Sequence, residues 1–194
     1  MHSDIIVVSG LPRSGTSLMM QMLDHGGIEV ITDSIRAADT DNPRGYYEYE
    51  QVKKIKEDKA WLPDTRGKAF KMVSQLLYEL PPSERYRIIF MQRDLDEMLR
   101  SQEKMLQRLN RPSASAADMK RYYTLHLEKL YAWLGQQSNM EILYVNYKDL
   151  VERPEEEIER VTALLGGKTN VARMLQAVDP SLYRNRKSAA DPVS

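Results

Sequence analysis

The sequence predicts an α/β protein: a parallel β-sheet flanked by helices. Two observations carry that reading. Short runs of β-branched residues alternate with stretches of helical periodicity along the chain, the order that favours parallel strands joined through helices. The first such run also leads directly into a glycine-containing loop and a Leu/Met-rich helix. Asp4 to Ser9 reads as a buried strand and Thr16 to Leu23 as the following helix, stopped near Gly26-Gly27. Further strands are expected at Ala69 to Val73, Arg87 to Met91 and Glu141 to Asn146. Helices are expected near Glu50 to Trp61, Leu95 to Leu109 and Ala116 to Leu134. Ser115 and Asp118 have the spacing of a capping box, and Met119, Tyr123, Leu127, Leu130 and Leu134 share one helical face. Pro154 opens a last helix, with Ile158, Val161, Leu164 and Leu165 inward and Gly166-Gly167 at its end.

Bulk properties narrow the function classes. The 194 residues fit one domain, with a basic tail from about residue 179, and are enough to bury a core. Twenty-eight basic residues balance 28 acidic ones, which argues against a long nucleic-acid or membrane surface and makes any anion site local. No cysteine is present, so disulfides, thiolate metal sites and thiol nucleophiles are all excluded. The apolar run Ile5 to Val8 is too short to span a bilayer. The expectation is a soluble, cytoplasmic protein.

The stretch SGLPRSGTS, residues 9 to 17, follows the first strand. Gly10 and Gly15 have the spacing of a phosphate-binding loop, but Thr16 stands where an ATP or GTP loop places its lysine. Backbone N–H groups at a helix start bind an anion regardless of its identity. The lost lysine matters for a terminal phosphate, whose charge is offset by that cation and by magnesium. The strand ending at Gln92 runs into Arg93, where a metal-holding carboxylate would be expected. A transferable group of lower charge, such as a sulfuryl group, needs less neutralisation, and Arg13 within the loop supplies a cation.

LPRSGTSLMMQML resembles the 5′-phosphosulfate loop of the sulfotransferases that use 3′-phosphoadenosine-5′-phosphosulfate (PAPS), closest to the form in tyrosylprotein and carbohydrate enzymes. Those enzymes have a P-loop NTPase-like α/β fold and need no metal. The resemblance implies that the amides of Arg13, Ser14, Gly15, Thr16 and Ser17 surround the 5′-phosphate and sulfate. It also implies that Arg13 contacts the leaving phosphate and that Thr16 and Ser17 add hydroxyl donors. FMQRDLDEMLRSQ carries a second likeness: Arg93, with Ser101 eight residues on, matches the pair that holds the 3′-phosphate. ILYVNYKDLVERPEEEIERVTALLG resembles the family's strand, Tyr-x-Asp-Leu turn and helix, and the resemblance places Tyr147 near the adenine. Arg184, Arg186 and Lys187 correspond to the basic C-terminal segment that closes the nucleotide site.

The implied reaction transfers a sulfuryl group to a hydroxyl or amine on a small-molecule, carbohydrate or peptide acceptor, leaving 3′,5′-adenosine diphosphate (PAP). It needs a base within reach of the acceptor oxygen. Asp33, after the first helix, and Glu48, in NPRGYYEYE, are the two candidates, and Arg44 is positioned to meet sulfate or an acidic acceptor. Lys71, on an otherwise apolar strand, is a candidate to direct charge at the leaving oxygen. Plainer roles compete with these: Asp33 as a helix cap, Glu48 as an acid at a helix entry, Arg93 paired with Asp94 or Asp96, His25 at a helix C-terminus and His126 as a structural residue. Two other function classes share the pattern. A magnesium-dependent small-molecule kinase would prefer ATP, and a non-catalytic nucleotide-binding protein would bind without transfer.

Overall fold

The computed structural model describes residues 3–33, 45–112 and 114–179. Its centre is a four-stranded, fully parallel sheet in the order β2-β1-β3-β4. The strands are β1 (Ile5–Gly10), β2 (Ala69–Val73), β3 (Tyr86–Gln92) and β4 (Met140–Asn146). Side-chain alternation divides the core between the two faces. Ile6 and Val8 of β1, Ala69 of β2 and Ile89 and Met91 of β3 join one apolar cluster. Ile5, Val7, Phe70, Met72, Ile88 and Phe90 join the other. A sheet covered on both sides explains why β1 reads as an unbroken apolar run rather than an alternating one.

The first face is covered by α1 (Thr16–His25) and, further along the chain, by α5 (Tyr147–Glu152), α6 (Pro154–Leu164) and α7 (Val171–Gln176). On the second lie α4 (Ala116–Leu134), whose Leu130 and Leu134 are buried, and the segment around α2 (Glu50–Lys53). Between β3 and α4 runs α3 (Leu95–Arg108), capped by the Asp94 carboxylate, which accepts from the amides of Asp96 and Glu97. α4 begins where Ser115 Oγ accepts from the Asp118 amide.

Two segments differ from the sequence reading. The helix expected over residues 50 to 61 stops at Lys53. Trp61 instead packs edge-on against Tyr49 and Phe70, with ring centroids 5.4 and 5.2 Å apart, while Pro63 opens a 3-10 turn at Leu62–Thr65. Aromatic packing overrides the local helical pattern there. The expected turn after β4 is a helix, α5, because Asn146 Oδ1 accepts from the Lys148 amide and caps it.

The strand order fixes the site. β1 leads to β2 on one side, whereas β3 and β4 lie on the other, so the ends of β1 and β3 form the switch point at which ligands bind in open α/β sheets. The loop after β1 opens there, beside the residues that follow β3.

Candidate functional site

The loop is held in its shape by close approaches that leave no room for side chains. Gly10 has φ 151°, and a Cβ there would lie 2.6 Å from the Met91 carbonyl oxygen on the neighbouring strand. Gly15, at φ 100°, caps α1, and a Cβ on it would lie 2.3 Å from Cδ2 of Tyr147. Arg13 takes the left-handed conformation at φ 69°, which costs an L-residue of order 1–3 kcal/mol. Its carbonyl and its side chain meet two different residues that follow β3. Arg93 Nη1 donates to the Arg13 carbonyl at 3.2 Å, and Arg13 Nε donates to Ser101 Oγ at 3.2 Å.

Arg93 is the centre of this arrangement. Its side chain is 8% exposed and that of its partner Glu97 is 6%, with Nε donating to Oε2 at 3.4 Å. Its guanidinium lies 4.5 Å from the centroid of the Tyr147 ring, a cation–π contact. A buried guanidinium needs such partners, because desolvation without them is costly. Of the surface partners considered from the sequence, Asp94 caps α3 and Asp96 meets Lys120 at 2.8 Å. Gly15, Tyr147, Arg93, Arg13 and Ser101, from four separate segments, therefore form one contiguous group.

Beside this group opens a cavity of about 650 Å³, to which Arg13, Gly15, Thr16, Ser17, Arg93 and Ser101 all contribute. Ser14 does not reach it: its amide donates to the Leu11 carbonyl, and its hydroxyl is buried without a hydrogen-bond partner. Lys71 and Glu48 also line the cavity. The strand period accounts for the lysine, since residue 71 falls on the same face as Ala69, toward α1. Lys71 Nζ donates to the Tyr46 carbonyl and to Ser17 Oγ, the latter at 3.2 Å. Ser17 Oγ donates to the same Tyr46 carbonyl at 3.3 Å, which pins residues 45–49 against the start of α1.

The two base candidates part company. Asp33 Oδ2 accepts from the Glu50 amide at 2.6 Å, so the carboxylate serves the first turn of α2, and Asp33 is not among the cavity residues. Glu48 is, with Lys53 Nζ 3.5 Å from its carboxylate. His126 is set apart: its Nε2 lies 2.9 Å from Ser74 Oγ, and burial lowers its pKa. His25 ends α1. Arg44, Arg184, Arg186 and Lys187 lie outside the described residues. Among the described residues, no group of His, Cys, Asp or Glu is arranged to hold a metal ion, and no helix is long and apolar enough to cross a membrane.

Sequence reasoning missed Lys104 and Arg108, which line the cavity with Ser101 and Met105. The signal was present: positions 101, 104, 105 and 108 form one face of a helix.

A parallel α/β sheet with a glycine-containing loop and a helix start at its switch point is the fold of a broad class of phosphate-loop-like proteins. Within it, a family model described as the sulfotransferase family matches residues 44–170, and the chain belongs to that family. The match begins after the loop, so the residues before Arg44 are placed by the structure alone. Solved structures share the fold. The sulfotransferase domain from the curacin biosynthetic pathway superposes with TM-score 0.55 at 14% identity, over 91% of this chain and 78% of its own. Mouse sulfotransferase SULT7A1, in a crystal structure complexed with PAP, gives TM-score 0.59 at 17% identity over 91% of this chain and 62% of its own. The sulfotransferase domain of the Synechococcus PCC 7002 olefin synthase gives 0.53 at 16% identity, over 98% and 91%. No curated protein sequence matches the chain.

Proposed function

We propose that this sulfotransferase moves the sulfuryl group of PAPS to a hydroxyl or amine acceptor and releases PAP. The observation that supports the reading is the joining of the loop to Arg93 and Ser101 through Arg13, which brings the two motifs together at one cavity. The start of α1, from Gly15 to Ser17, would meet the 5′-phosphosulfate, whose charge suits unpaired helix N–H groups. Arg93, with its fork of donors, and Ser101 would hold the 3′-phosphate, and Tyr147 would lie beside the adenine.

In the transfer, the acceptor oxygen attacks sulfur as the bond between sulfur and the bridging oxygen of the 5′-phosphate breaks. The acceptor proton goes to Glu48, the candidate carboxylate that faces the cavity. Negative charge grows on the bridging oxygen, and Arg13 and Lys71 stabilise it there. The rate comes from positioning and fixed charge, which requires no metal in this scheme.

Calorimetry tests the donor. PAP should bind with magnesium chelated, and more tightly than ATP with magnesium present. Binding of ATP alone, dependent on magnesium, would assign the chain to phosphoryl transfer. Loss of labelled sulfate from PAPS to an acceptor, abolished by Glu48→Gln, tests the chemistry.

A further inference from the structure

Glu48 reaches the cavity from a strap, residues 45–49, whose middle residue has an unfavourable backbone. Tyr47 adopts φ 50°, in the left-handed region, where a bulky L-residue is an outlier. Gly45, two residues earlier, has φ 92° and bears no such strain. A glycine would serve the turn at 47 equally well, so the tyrosine side chain is what this position adds.

The backbone on either side of Tyr47 is tied down. The Tyr46 carbonyl accepts from Ser17 Oγ at 3.3 Å and from Lys71 Nζ. The Glu48 carbonyl accepts from the Asp33 amide and from Thr32 Oγ1, both at 3.1 Å. With both neighbours anchored, the torsions at residue 47 join one anchor to the other and influence how the Glu48 side chain leaves the strap. Tyr46, Glu48 and Tyr49 line the cavity, where Tyr49, Val52, Met72 and Leu76 add apolar wall, whereas Tyr47 is not among the lining residues. Its side chain packs instead against the apolar cluster on the first face of the sheet, and its hydroxyl donates to Asp24 Oδ2 at 3.3 Å. Burial, and after it the Asp24 charge, raise the pKa of this phenol above its ordinary value, which keeps it a donor. Asp24 lies in the last turn of α1, where a carboxylate faces the negative end of the helix dipole. The bond to Tyr47 gives an acid in that unfavourable place a role.

We propose that Tyr47, held by Asp24, is a positioning residue for Glu48: the clasp between phenol and carboxylate keeps residue 47 left-handed and so aims the Glu48 carboxylate into the cavity. The assignment rests on the reading of Glu48 as the base and names what orients it. The clasp is exposed to solvent, so its effect belongs to turnover more than to global stability.

The test compares Tyr47→Phe, Asp24→Ala and Asp24→Asn with the unaltered chain. Turnover is read as labelled sulfate leaving PAPS, with water or para-cresol as acceptor. Tyr47→Phe and Asp24→Ala should each lower kcat roughly fivefold, while PAP affinity by calorimetry changes less than about twofold and the melting temperature by less than about 4 °C. Asp24→Asn keeps an oxygen that accepts from the phenol and should recover most of the loss. In a Glu48→Gln background, Tyr47→Phe should lower turnover no further, because the group it aims is gone. Independently of turnover, the side-chain carboxyl carbon resonance of Glu48, identified by its loss in Glu48→Gln, should move in the Tyr47→Phe protein. A shifted resonance sustains the proposal even where neither acceptor reacts, and an unmoved one overturns it. An undiminished kcat, or an equal loss in the Glu48→Gln background, also overturns it by making the clasp structural alone. Failure of PAP to bind the unaltered protein would instead defeat the donor reading, and the resonance would still decide the clasp.

Discussion

The loop end of the cavity and the opposite region around residues 45–53 solve the same problem in different ways. At the loop, residues distant in sequence hold one another: Arg13 reaches Ser101, and Arg93 reaches Arg13, Glu97 and the Tyr147 ring. Around Glu48 the charged ties stay within one short stretch, Lys53 meeting Glu48 and Glu50, while its backbone is held from outside by Ser17 and Lys71 at the Tyr46 carbonyl and by Asp33 at the Glu50 amide. The first construction fixes a set geometry before any ligand arrives. The second sets chemistry and charge while leaving shape to a few apolar walls. On the proposed reading, the first would hold the donor and the second would face the acceptor.

The sharpest way to separate the ends is chemical. Glu48→Gln should lower kcat by about 10²–10⁴-fold, the usual worth of a general base, and leave PAP affinity unchanged by calorimetry. If Glu48→Gln keeps full turnover, the base lies elsewhere. Gly15→Ala attacks the rigid end. Its Cβ meets the Tyr147 ring, and its φ of 100° is unfavourable for alanine, so about 3 kcal/mol of stability and most PAP binding should be lost together in melts and titrations.

Arg93→Ala comes next. It leaves Glu97 buried without its guanidinium, and should cost about 3 kcal/mol in stability and chiefly weaken PAP. Arg13→Ala should instead lower kcat more than donor affinity. Equal losses in both parameters for both variants would erase the distinction between a holding arginine and a reacting one. Asp33→Asn should be milder, about 1 kcal/mol in denaturant midpoints with kcat retained, because a cap and not a base is removed.

The smallest effect concerns His126. Burial lowers its pKa from the usual 6.5, so between that lowered value and 6.5 the unfolded chain binds more protons than the native one. Stability should fall as pH drops through that window and level off below it. His126→Gln should remove that part of the slope in chemical denaturation, with no change in PAP binding, since the residue lies outside the cavity.

Much of this was legible from residue patterns. β2 begins and ends where Ala69 and Val73 predict, and α4 spans Ala116–Leu134 because its cap and its Leu130 and Leu134 stripe agree. The parallel sheet follows from alternation that repeats four times. The failure over residues 50 to 61 has a tertiary cause, the edge-on contacts of Trp61, which no local period encodes. At the site, the loop and Arg93 were readable because spacing and context agreed. The inward turn of Ser14 was not, since it depends on the Leu11 carbonyl accepting its amide. Nor could spacing separate the placement of Asp33 from that of Glu48: both lie near the same turn, and only the structure shows Asp33 accepting from the Glu50 amide while Glu48 lines the cavity.

The left-handed backbone of Arg13 has a consequence for selectivity. One residue steadies the guanidinium at 93 with its carbonyl and grips the hydroxyl at 101 with its side chain, so on the proposed donor assignment the two ends of the nucleotide would be recognised together. A fragment such as adenosine 5′-phosphosulfate, lacking the group that engages Arg93 and Ser101, would leave that tether undisturbed and forfeit more than one phosphate's share of affinity. On that assignment, discrimination between whole donor and truncated metabolite would follow from a single strained residue.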